Sequence, residues 1–163
     1  MRIRTRWSVA ALLAVGACGE SAAGGALGGD PRLGGGWTAE FWVASPLRLG
    51  DTAAPRKVRG SLVLMENRVV QSFGRLRGPP THYGAYGADF RPFGLPVPSP
   101  GRVPTVTARL AEADSVEMVL DGIGTGVLLV GRLHSDSIAG RWSYAGDRAG
   151  GANGTFVLRR PAD

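Results

Sequence analysis

The chain has a single cysteine, Cys18, so it forms no internal disulfide. Its two histidines, His82 and His134, have no second cysteine beside them, and no zinc-ligand spacing exists. No metal and no cofactor is expected. Lysine occurs once, at Lys57, and the other basic residues are arginines. The longest apolar run, WSVAALLAVGA at residues 7–17, has 11 residues. That is short of the ~20 a permanent membrane helix needs. After residue 36 no segment repeats its apolar side chains at a helical period. Gly-x-Ser-x-Gly is absent, so the hydrolase nucleophile turn is missing. The formal charge of +6 includes Arg2, Arg4 and Arg6, and falls to +3 without them. That remainder is spread along the chain, whereas a nucleic-acid surface needs clustered cations. Nucleic acid is therefore not an expected partner. What the chain has in quantity is glycine, 26 residues among 163, which favours turn-rich β structure over helices.

The N-terminus has three parts. MRIRTR is a short basic stretch, the apolar run follows, and Val15-Gly16-Ala17-Cys18 closes it. This order resembles the signal peptide and lipobox of bacterial lipoproteins. The resemblance covers the first 18 residues. It implies that Cys18 receives diacylglycerol, that cleavage precedes it, and that the mature protein meets the membrane through its N-terminal lipid. Two or more acyl chains hold a protein to a bilayer durably. Gly19 in place of aspartate is compatible with the outer membrane of the cell envelope. The alternative is an ordinary secretory signal with Cys18 incidental. GESAAGGALGGDPRLGGG follows, with eight glycines and few large apolar side chains. Such a stretch buries too little surface to order itself. The expected organisation is a signal peptide at 1–17, a lipidated cysteine and flexible tether at 18–36, and one β domain at 37–163.

From Trp37 onward, short alternating runs are separated by turn residues. WTAEFWVA places Trp37, Ala39, Phe41 and Val43 on one face. KVRGSLVLM does the same with Val58, Gly60, Leu62 and Leu64. Glu66-Asn67 reads as a hairpin turn into a strand RVVQSFGRL, and HYGAYGADF as a weaker strand. VPTVTARLAE, SVEMVLD, GVLLVGRLH, SIAGRWSYA and GTFVLRR complete the set. Ala113-Asp114, Gly122–Gly126 and Ser135-Asp136 are tight links, which make successive strands antiparallel. The fold class is all-β: an antiparallel up-and-down meander of eight or nine strands, barrel-like because closure removes exposed edges. A β-sandwich is the alternative.

Gly35-Gly36-Trp37, opening the first strand, resembles the Gly-x-Trp start of lipocalins and other small calycin barrels. There the tryptophan closes one end of the barrel and an arginine from the last strand packs over it. The resemblance implies that Arg159 or Arg160, ending GTFVLRR, supplies that arginine. The chain has no later Thr-Asp-Tyr motif and no C-terminal helix. Residues 78–104 hold seven of the 11 prolines and four aromatics, Tyr83, Tyr86, Phe90 and Phe93. Proline removes ladder donors, so residues 92–104 form no regular central strand. One reading makes this stretch a lid whose aromatics meet a ligand or partner. The other makes it a stiff crossover whose aromatics cover core.

His134-Ser135-Asp136-Ser137 brings the residue types of a catalytic triad together, but as neighbours in a hairpin link. Serine and aspartate there serve the turn, and a triad requires convergence in space. No catalytic residue is assigned. The expected protein is a lipid-anchored envelope lipoprotein with a non-catalytic binding or interaction domain. Its candidate ligand is a small apolar molecule. A structural or assembly lipoprotein contacting another envelope protein is the alternative, and an enzyme with an unrecognised site is the lesser one. Inward positions 62, 64, 110, 118, 129, 142 and 156 are mostly large, which favours a filled core over a cavity.

Overall fold

The alternation in WTAEFWVA becomes β1 (Gly35–Ser45), with Trp37, Ala39 and Phe41 fully buried on one face. The computed structural model describes residues 29–45, 57–67, 76–96, 98, 100–124, 126–145 and 151–162. The signal peptide, Cys18 and the tether as far as residue 28 lie outside the described residues.

Seven further strands follow: β2 (Lys57–Glu66), β3 (His82–Ala88), β4 (Thr105–Leu110), β5 (Ser115–Asp121), β6 (Val127–Leu133), β7 (Ser137–Tyr144) and β8 (Asn153–Arg159). Each is antiparallel to the next. β8 returns to β1, from Thr38 opposite Arg159 to Ser45 opposite Asn153, and closes the barrel. That last pairing excludes the sandwich. An eight-stranded closed up-and-down barrel is consistent with a calycin-like architecture. A barrel of this size is just wide enough for side chains or one small ligand.

Three expectations change. Glu66-Asn67 is not a tight hairpin: Glu66 already faces His82, and Asn67 N–H donates to Thr81 O at 2.8 Å. β2 therefore pairs with β3 across a connection from 67 to 81. The strand expected in RVVQSFGRL falls mostly on residues 68–75, outside the described residues. HYGAYGADF, read as weak, is β3, paired on both sides. Its glycines blur the alternation but bring the backbones close. Of the stretch expected as tether, residues 29–34 pack on the barrel, and β1 starts at Gly35. Asp30-Pro31 starts a turn there, and Leu33 is fully buried.

The tight links fold as expected. Ala113 and Asp114 both take positive φ, 53° and 58°, between β4 and β5. His134 N–H donates to Ser137 O at 2.8 Å across the β6–β7 hairpin. Inward side chains of all strands form one core that includes Phe41, Leu62, Leu64, Met118, Leu129, Trp142 and Phe156. β5 is buried on both faces: Val116, Met118 and Leu120 point inward, while Glu117 and Val119 are covered outside. Arg77 N–H donates to Glu117 Oε2 at 3.3 Å, and the Arg77 and Arg109 guanidinium groups lie 3.5 and 3.4 Å from its carboxylate. Residues 76–78 thus cross the outside of β4 and β5.

Candidate functional site

The barrel has two ends, and both are shut. At the first, where β1 starts and β8 finishes, residues 29–34 cross the opening. Leu33 N–H donates to Asp30 O and Gly34 N–H to Pro31 O, at 3.0 and 3.3 Å. This turn drops Leu33 into the core. The Trp37 indole N–H donates to Leu33 O at 3.0 Å and fixes the turn to β1.

Arg160 locks this arrangement. Its guanidinium carbon sits 3.9 Å from the centre of the Trp37 ring, within cation–π range. Its Nη1 donates to Gly34 O at 2.6 Å and Gly36 O at 3.3 Å, and its Nη2 to Arg32 O at 2.6 Å. Gly35 makes the approach feasible. It has φ +99°, and a β-carbon there would stand 2.8 Å from Nη1. Of the two arginines the resemblance left open, Arg160 takes the place over the tryptophan. Arg159 points outward and lies 3.7 Å from the Glu40 carboxylate at an exposed site.

Two further contacts hold the turn. Arg32 donates to Asp30 Oδ2 at 2.7 Å and to Asp114 Oδ1 at 2.9 Å, bridging the turn to the β4–β5 link. The hydrogen bonds from Arg32 hold the Asp30 carboxyl below its ordinary value. Behind the turn, His82 is buried on the inward face of β3. Its Nδ1 lies 3.0 Å from Thr81 Oγ1, and the ring hydrogen-bonds the Asp30 backbone. Burial pushes the His82 pKa down; the charges of Glu66 and Asp30 and the hydrogen bond to the Asp30 backbone offset part of that. Gly29 packs so closely on the ring that no β-carbon fits there.

The second end is shut by the proline-rich stretch. A 3-10 turn, Arg91–Phe93, ends at Gly94 with φ 75°. Phe93 N–H donates to Phe90 O at 2.9 Å, and Leu95 N–H to the same oxygen at 3.4 Å. The turn turns Phe90, Phe93 and Leu95 into the barrel, where all three are buried. The Phe90 ring meets the Phe41 ring edge-on at 4.9 Å. The Phe93 ring stacks on Trp142 at 5.4 Å with 6° between planes. Trp142 is fixed in turn by its indole N–H, which donates to Trp42 O at 2.9 Å. Tyr86 is buried on β3 and donates its hydroxyl to Asp121 O at 2.8 Å. Burial, with the nearby Asp121 charge, pushes its pKa up to about 12. That phenol is a neutral structural donor.

Of the candidate contact residues, Trp37 and Arg160 meet at one end, and Tyr86, Phe90 and Phe93 gather at the other. Tyr83 stands apart on the outside of β3, 46% exposed. Leu33, Asp30, Arg32 and His82 were not among the sequence candidates. Asp30-Pro31 was the signal that could have found the turn. The serine, histidine and aspartate of 134–137 form only a surface hairpin, with Ser135 Oγ donating to Asp136 Oδ1 at 3.3 Å. Among the described residues, no three histidine, cysteine or acidic side chains gather as a metal site. The buried polar side chains there are His82, Thr107 and Glu117, and the last two lie on the outer wall. No protein-family model matches the chain, and no curated protein or solved structure is significantly similar to it.

Proposed function

We propose that this chain is a lipid-anchored bacterial envelope protein whose barrel acts through its exterior as an assembly or interaction module, without a catalytic step. The observation that carries the reading is that the chain's own side chains enter the barrel from both ends. Phe90, Phe93 and Leu95 enter from one end and Leu33 and Trp37 from the other, and each is at most 3% exposed. A carrier needs room for its ligand, and here the chain's own side chains take that place. The lipobox pattern around Cys18 supports the anchor, and Gly19 supports an outer-membrane position. The Trp37–Arg160 pair supports kinship with calycin barrels.

A second reading keeps a small apolar ligand. The Phe90–Phe93 plug is carried on a loop, so its withdrawal would uncover Trp142 and Phe41 without opening a strand pair. Native mass spectrometry of the protein purified from its own membrane separates the two. The lipidated chain alone, or with a second protein, supports the first reading. A retained small apolar molecule supports the second. An unlipidated mature chain contradicts the anchor in both.

A further inference from the structure

We propose that the outer face of β2 and β3 at the end closed by Trp37 and Arg160 rests in the headgroup layer of the bilayer, orienting the barrel on the membrane. The inference builds on the lipid anchor at Cys18. Five large apolar side chains are exposed among the described residues, and three of them adjoin: Val63 at 51%, Met65 at 50% and Tyr83 at 46%. Met65 pairs directly with Tyr83, and Val63 with Ala85. On its other side Val63 faces Gly36 of β1. Among the described residues of β2 and β3 no polar side chain stands between these groups, so they form one patch. The other two exposed residues are isolated. Val130 sits between Glu117 and Arg141 on neighbouring strands, and Val103 lies just before β4 at the opposite end.

Position along the barrel selects the bilayer as occupant. Gly35 pairs with Leu64, so the patch lies at the end where the chain enters β1. The described chain begins at Gly29, eleven residues after Cys18. A segment of that length spans about 40 Å at most and about 20 Å as a random coil. At the coil span the lipid makes this end, on average, the nearer one to the headgroups and the proline-rich end the farther. The chemistry of the patch fits that depth. Tyrosine presents an apolar ring with a polar tip, which suits a membrane interface. Methionine is flexible and adapts to an irregular surface. An apolar patch free in water has no comparable compensation.

The test uses the full-length lipidated chain with Met65→Cys. Alkylation of Cys18 leaves position 65 as the free thiol, which is labelled with an environment-sensitive dye. Val103→Cys, labelled alike, reports the opposite end, and Tyr83→Cys repeats the measurement within the patch. Each protein is reconstituted into protein-free phosphatidylethanolamine–phosphatidylglycerol vesicles carrying a quencher on the acyl chains. Dye at 65 and 83 is expected to be quenched about threefold more than at 103, since an interfacial face sinks about 5–10 Å. Equal quenching at 65, 83 and 103, with the lipid on Cys18 verified by mass, overturns the proposal and leaves the anchor standing. Shielding at 65 in native membranes but not in vesicles overturns it in favour of a protein partner. Absence of lipid on Cys18 overturns the anchor and the proposal together.

Discussion

The two ends of this barrel are closed by different physics. The Trp37 end is a clamp of directed contacts. One guanidinium reaches three backbone carbonyls and one aromatic face, and Arg32 ties the turn to two carboxylates. The Phe93 end is a plug of apolar shape, held by ring stacking and burial. Directed contacts fix one geometry and resist sliding. Apolar packing is strong in sum, yet tolerates withdrawal and replacement by a similar shape. The clamp closes the end where the chain enters β1, and the plug closes the end whose contacts are apolar.

Each closure can be removed separately. The largest effect is expected from Trp37→Ala, which removes a buried indole and the ring beneath Arg160. Urea unfolding should show a loss of about 3–5 kcal/mol. A loss under about 1 kcal/mol would mean the clamp does not close the core. Phe93→Ala is expected to cost about 3 kcal/mol and to leave an apolar cavity against Trp142. Benzene should then raise the melting temperature of the variant and not that of the parent protein. Equal shifts in both would show that the plug already leaves room.

Smaller effects are expected at the two neighbouring arginines. Arg160→Met keeps the stem but loses the charge-assisted bonds, and about 2 kcal/mol of stability should go with them. Arg159→Ala, one residue earlier and exposed, should stay within about 0.5 kcal/mol. The clamp also predicts pH dependence. The folded His82 has a pKa below its ordinary 6.5, so the unfolded chain binds more protons as pH falls below that value. The contribution is full above pH 6.5 and is lost progressively as acidification proceeds toward the folded pKa. Melting temperatures of the parent and of His82→Asn should converge in shape above that pH and diverge below it. Parallel curves throughout would remove His82 from the account.

Much of this was legible in the residues. Alternation over Trp37–Val43 and Ile138–Tyr144 survives folding because a half-buried strand imposes period two whatever it packs against. The tight links at Ala113-Asp114 and Ser135-Asp136 are local chemistry and read locally. What misled was long-range. β3 looked weak because its glycines carry no hydrophobic signal, although they sit in close backbone contact. The turn at 29–34 read as tether because polyglycine surrounds one leucine. Only the partner Arg160, 128 residues beyond Arg32, gives that leucine its place. Residues 89–96 offered two readings, since an aromatic in a proline-rich loop has the same local pattern whether it faces a ligand or its own core.

A barrel filled by its own side chains has no room for a fatty acid. The full-length protein and Phe93→Ala are titrated side by side with a fluorescent fatty acid. No saturable binding to the parent protein is expected, and one-to-one binding only where the plug has been cut back. One-to-one binding to the parent, displaced by unlabelled fatty acid, would contradict a self-filled barrel.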